Sequence, residues 1–191
     1  MHPFRRVSIL LPPALAVALA AACSDSNSLG DATETNVVDT VTLGALEGTP
    51  ISTPSGYHIT VGPVRIDQTV DFEFAYNIRK LSDGTPQRVF MPRAALGLSS
   101  PSSADPGLQR RDETFDGLTR APSNGFVTDS AVPIEVGQRF LVRSRVICTD
   151  LGVPLYGKIE ILGFQDSTVT FRTLVNQNCG YKDLLPGLPE D

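Results

Sequence analysis

Val70-Asp-Phe-Glu-Phe-Ala-Tyr-Asn-Ile78 is the stretch whose reading decides the fold class. Val70, Phe72, Phe74, Tyr76 and Ile78 fall on one side, while Asp71, Glu73 and Asn77 fall on the other. Successive side chains of an extended chain point to opposite faces, so a period of two marks a strand with one face on a core and one in water. A helix would bring residues three and four apart onto one stripe, and no segment of the chain shows that pattern convincingly over a helical length.

The same alternation recurs downstream. Over 139–147, Phe140, Val142, Ser144 and Val146 lie opposite Arg139, Leu141, Arg143 and Arg145. Residues 158–164 and 168–175 read as two more strands, the second with Val169, Phe171 and Val175 on one face. Asp166-Ser167 supplies a hairpin turn between them. Weaker strands are expected at 37–43, 57–61, 88–91 and 126–128. Seven or eight short strands separated by Gly, Pro, Asn and Asp turns indicate an all-β domain, a sandwich or a barrel. An antiparallel β-sandwich, Ig-like or similar, is the expectation taken forward. Between the strands, 99–125 is rich in Ser, Pro, Gly and charge and reads as one long loop, with Phe115 and Leu118 able to pin its middle to the core.

Composition narrows the function classes. Hydrophobic residues make up 41% of the 191 and charged residues 19%, the balance of a globular protein. Formal charge is −5, and −7 once an N-terminal leader carrying Arg5 and Arg6 is removed. An acidic domain without a Lys/Arg cluster is a poor nucleic-acid binder, because phosphate neutralisation supplies most of that affinity. It is equally ill suited to gripping anionic headgroups through its own surface. The absence of Trp weakens the case for a carbohydrate-stacking platform.

The first 22 residues have the layout of a secretory signal: Arg5-Arg6, then an apolar run from Val7, then small residues. The run is shorter than the roughly 20 residues needed to cross a bilayer, and Pro12-Pro13 interrupts any helix. It ends Leu19-Ala20-Ala21-Ala22-Cys23, which resembles the lipobox of bacterial lipoproteins, with Ala20 where Leu is usual and Leu19 one place earlier. That resemblance implies signal cleavage before Cys23, acylation of Cys23 with palmitate-type chains, and a membrane anchor in the cell envelope. In such proteins Asp directly after the cysteine retains them in the inner membrane. Ser24 stands there instead, which implies the outer membrane in a host that has one. The plainer alternative is an ordinary cut at an Ala-x-Ala site, with Cys23 a bystander. The organisation expected is a signal peptide over 1–22, a polar tether over 23–36, a single domain over 37–185 and a tail over 186–191. Asn176-Gln-Asn-Cys-Gly-Tyr181 is similar to the tail of some exported bacterial proteins, a likeness that implies no activity.

With Cys23 assigned to lipid, Cys148 and Cys179 remain, and an even number of cysteines in an exported domain reads as one disulfide. Closing a loop of about 30 residues stabilises by roughly 3–4 kcal/mol in the chain-entropy model. If the strands from 139 to 175 form a meander, both cysteines lie at one end, two strands or about 9.5 Å apart, so the tail must curl inward. No His or Cys sits at zinc-ligand spacing from either.

Four groups of residues carry candidate chemistry. His58 is the one histidine after the leader, on the wetter face of its strand. Asp71 and Glu73 share a strand face and can serve as a general acid/base pair, although charged residues on an outer face are the usual furniture of such a strand. Asp105, Asp112, Glu113 and Asp116 supply hard oxygen ligands for calcium in the long loop, with Arg110, Arg111 and Arg120 on hand to neutralise them. Arg139, Arg143 and Arg145 form a row that can meet an acidic partner or pair with Asp71 or Glu73. No phosphate loop, H-E-x-x-H, C-x-x-C or G-x-S-x-G elbow occurs.

The expectation is a lipid-anchored envelope protein with a non-catalytic binding or structural role and no cofactor. Its partner, an envelope protein or glycan, would meet the long loop or Arg143 and Arg145. The rivals are a carboxylate-dependent hydrolase of envelope polysaccharide and a calcium-dependent adhesion module.

Overall fold

Two five-stranded antiparallel sheets make the domain in the computed structural model, which describes residues 30–99 and 104–189. The signal-like leader, Cys23 and most of the tether lie outside the described residues. The first sheet runs β1 (Val38–Gly44), β10 (Thr168–Asn176), β9 (Val153–Gln165), β8 (Arg139–Cys148) and β6 (Gly107–Arg111). The second runs β3 (Gly62–Val64), β2 (Gly56–His58), β4 (Phe74–Lys80), β5 (Pro86–Pro92) and β7 (Val132–Pro133). Among the described residues there is no α-helix, and the one helical turn is a 3₁₀ turn at Arg93–Leu96.

The sheets meet through aromatic side chains supplied by the alternating strands. Phe74 lies 4.4 Å from Phe90 between ring centroids, and Phe171 lies 5.5 Å from Tyr57 and 5.8 Å from Phe90. These offset and edge-on contacts suit the ring quadrupoles, and the large faces bury the most apolar area per residue. Phe140, Ile159, Ile161 and Val169 complete the core from the first sheet.

The meander expected over 139–175 is present as β8-β9-β10, with β9 starting at Val153, earlier than the alternation suggested. Its hairpin closes across Asp166-Ser167, with Asp166 at φ 48°, a left-handed conformation that Asp tolerates. Past Asn176 the tail folds back on itself, the Asn178 N–H donating to Asn176 Oδ1 at 2.9 Å. That turn brings Cys179 to Cys148 with Cα atoms 5.7 Å apart, and the two form a disulfide.

Several expectations need correction. The 70–78 stretch becomes strand only from Phe74, and Val70 is exposed. Its supposed wet face is largely dry: Glu73 and Asn77 are buried along with Phe72, Phe74 and Tyr76. The cause lies in the flanking segments, which fold back along β4. The Leu46 N–H donates to the Tyr76 carbonyl, the Tyr76 N–H to the Ser55 carbonyl and the Glu47 N–H to Asn77 Oδ1. The 99–125 stretch is not one loop, since it contains strand β6. The 126–128 segment contributes only a bridge between Leu108 and Val127. β2 ends at His58, short of the expected Val61.

The domain also takes in parts of the tether and tail. Asn36 and Gly187 exchange N–H to carbonyl bonds of 2.8 and 3.0 Å. Asn178 Oδ1 accepts from the N–H groups of Thr33 and Glu34. At the outer edge of the first sheet, Asp39 Oδ1 accepts from the Thr40 N–H at 2.7 Å, and the Pro54 carbonyl accepts from the Gly44 N–H at 2.9 Å.

Candidate functional site

The arginines of β8 are all engaged within the chain. Arg139 Nε donates to Glu160 Oε1 at 2.9 Å, and Arg172 Nε to Glu160 Oε2 at 2.6 Å. Pairing between β8 and β9 loses register from Arg143 to Val146, and the two arginines of this stretch take separate partners. Arg143 donates to the Asp105 carbonyl at 2.9 Å and stacks 5.0 Å from the Phe126 ring centroid. Arg145 reaches the other sheet, where it pairs with Asp71 at 3.3 Å in the segment leading into β4.

Beside that pair sits Glu73, 1% exposed. Its Oε2 accepts from the Ile59 N–H at 2.6 Å, while its Oε1 is buried without a hydrogen-bond partner. Burial pushes the carboxyl up to about 7, outweighing the Ile59 hydrogen bond and the nearby Arg145 charge, both of which pull it down. His58 is half-buried, and desolvation first and the Arg145 charge second push its pKa down, partly offset by Asp71. Its Nδ1 lies 3.0 Å from Thr60 Oγ1. An acid that titrates near neutrality is equipped to exchange a proton. Glu73, however, lies inside the packing, where no substrate touches it without an opening of the fold.

The acids of the long loop do not converge. Glu113 pairs with Arg111, two residues away, and Asp105 accepts from Ser99 Oγ. Among the described residues no three His, Cys, Asp or Glu side chains gather into a metal-binding group.

On the outer face of the first sheet Phe115 and Leu118 pin the 99–125 stretch as expected, but around a buried lysine that was not anticipated. Phe115, Leu118 and Ala121 from the former loop, with Leu184 from the tail, cover Leu141, Tyr156 and Leu174 in a second apolar cluster. Lys158, 1% exposed, lies at its centre. Its Nζ donates to the Phe115 carbonyl at 2.8 Å and the Leu118 carbonyl at 3.0 Å, and sits 4.6 Å from the Phe115 ring centroid. The Arg172 guanidinium lies 4.1 Å from the same ring. Desolvation pulls the Lys158 ammonium below the ordinary lysine pKa. The one available signal was an isolated Lys in a strand of a chain with three lysines, and that reads equally as a solvated position.

A cleft of about 350 Å³ opens between the β1 and β10 margin of the first sheet and the β2–β3 turn of the second. Val37, Val38, Val61 and Pro63 line it, together with Tyr57, whose hydroxyl is 3.0 Å from Thr173 Oγ1. Asp71, Glu73 and Arg145 line neither this cleft nor two further ones among the described residues, of about 460 and 300 Å³. Among the described residues no helix is long and apolar enough to cross a membrane. No protein-family model, no curated protein and no solved structure matches the chain.

Proposed function

We propose that this chain is an exported lipoprotein, held in the cell envelope by a lipid on Cys23, whose sandwich domain binds or scaffolds an envelope protein or glycan without catalysing a reaction. The run ending Leu19-Ala20-Ala21-Ala22-Cys23 carries the anchor. The Cys148–Cys179 disulfide supports an oxidising compartment. Ser24 after the cysteine favours the outer membrane over the inner one. The non-catalytic reading draws support from the fate of the polar side chains: Arg139, Arg143, Arg145 and Lys158 all serve contacts inside the chain.

Labelled palmitate and cross-linked co-purification from native membranes test both halves, with Cys23→Ala beside wild type. Label on wild type alone, with a cross-linked neighbour lost in the variant, is the expected result. Unlabelled wild type would overturn the anchor.

A second reading, a carboxylate-dependent hydrolase of envelope polysaccharide, is favoured by one observation, the buried Glu73 carboxyl raised to about 7. It requires hydrolysis of an isolated glycan by the purified domain and its loss in Glu73→Gln with folding intact. The binding reading expects no such activity in either protein.

A further inference from the structure

We propose that the apolar surface around the domain's N-terminal exit, formed by Val37, Val38, Leu185 and Leu188, rests on the lipid bilayer. The inference deepens the anchored-lipoprotein reading and rests on it. Its first support is that the exit point is fixed. Besides the paired bonds between Asn36 and Gly187, Asn36 Nδ2 donates to the Leu185 carbonyl at 3.0 Å, and Asn178 Nδ2 donates to the Glu34 carbonyl at 2.7 Å. The Cys148–Cys179 disulfide holds the residue next to Asn178. The chain therefore leaves toward Cys23 from one defined place on the domain.

The second support is what surrounds that place. Val37 is 65% exposed and Leu188 58%, and Val38 and Leu185 are exposed as well. All four lie within two residues of the Asn36–Gly187 bridge, which sets the two segments side by side. Val61 extends the surface across the cleft that Val37 and Val38 also line. Scattered single apolar residues on a surface need no explanation, but four exposed ones gathered within two residues of one bridge do.

The third support is reach. Thr33, the first residue held by Asn178, stands ten positions after Cys23. Such a segment spans at most about 36 Å. A tether that short keeps the exit surface at a millimolar effective concentration beside the bilayer, so a weak apolar contact suffices. Charge selects the lipid. Glu34, Asp39 and Asp183, each within four residues of Asn36 or Gly187, outnumber the one cation Lys182, so the surface suits zwitterionic headgroups and disfavours anionic ones.

The absence of Trp from the chain makes the test direct. Leu188→Trp and, as a control near the β9–β10 hairpin, Leu162→Trp are each prepared as the lipidated mature protein on phosphatidylcholine vesicles with brominated acyl chains. Leu188→Trp fluorescence is expected to shift to the blue and to be quenched several-fold more than Leu162→Trp. Adding Val37→Ser and Leu185→Ser to Leu188→Trp, or replacing the lipid by phosphatidylglycerol, is expected to weaken the quenching. Equal quenching of the two tryptophans on protein that carries label at Cys23 would overturn the docking and leave the anchor standing. Absence of the label would overturn the anchor and the docking with it. A tryptophan that is wet on vesicles but shielded in native membranes would assign the surface to a protein, against the proposal.

Discussion

The inner face of the first sheet and the part of its outer face around Lys158 are both dry, but they are kept dry by different means. Inside, Phe140, Ile159, Val169 and Phe171 meet the rings of the second sheet, and every strand of the meander contributes. Outside, Leu141, Tyr156 and Leu174 are covered by connecting segments, Phe115 to Ala121 and the tail at Leu184. Regular strands hold themselves against a core through their ladders. Connecting segments have no ladder, so their carbonyls need donors from elsewhere, and Lys158 supplies two. The inner core is therefore non-directional and shared by the whole domain. The outer one depends on a few aimed contacts, which makes it the part to open first.

Phe171→Ala strikes the shared core. It is expected to cost about 3–5 kcal/mol and to lower the melting temperature, with inner and outer clusters lost in a single transition. Survival of the outer cluster, by near-ultraviolet signal and protease resistance, after the inner core has melted would break the comparison.

Glu73 extends the comparison to the second sheet, where another expected outward residue is enclosed. Its carboxyl holds a proton to about 7 in the folded chain, against 4.5 ordinarily. The folded state thus binds that proton more tightly than the unfolded state does. The resulting stabilisation is full below 4.5 and disappears as pH rises through about 7. Wild type is expected to lose about 2–3 kcal/mol relative to Glu73→Gln between pH 4.5 and pH 8, measured by denaturant unfolding at each pH. Parallel curves for the two proteins would mean that Glu73 is wetter than its burial implies.

The smallest effect sharpens the contrast most. Lys158→Met removes the donor to two buried carbonyls and is expected to cost about 1–2 kcal/mol. Amide exchange should quicken over 112–126, while Phe140, Ile159 and Phe171 stay protected. Uniform loss of protection across the sheet would show that the outer cluster is no separate unit.

The fold was legible wherever alternation was strict and the apolar residues large. The meander, the hairpin at Asp166-Ser167 and the all-β class follow from that signal, because side-chain period and turn chemistry act locally, and the single disulfide follows from the count of cysteines. Strands β3, β6 and β7 were not legible. They are two to five residues long and carry Gly or Pro or charge, and their pairing is imposed by neighbours distant in sequence. Glu73 was misplaced, and Lys158 passed over, for a common reason. A polar side chain in an alternating strand reads as solvated unless something covers it, and the covering segments declare themselves only in three dimensions. The pairing of Arg145 with Asp71 had been one of two uses open to that arginine, and only the fold could choose between them.

Edge strand β1 bears on how copies of the protein meet. A strand margin with free N–H groups is a template on which a neighbour's strand can grow. Here the Thr40 N–H is occupied by the side chain of Asp39 and the Gly44 N–H by the Pro54 carbonyl. Asp39 also places a negative charge on that margin, so two such edges meeting face to face repel. Copies brought close together, as the proposed anchor at Cys23 would bring them, then meet without zipping through this edge.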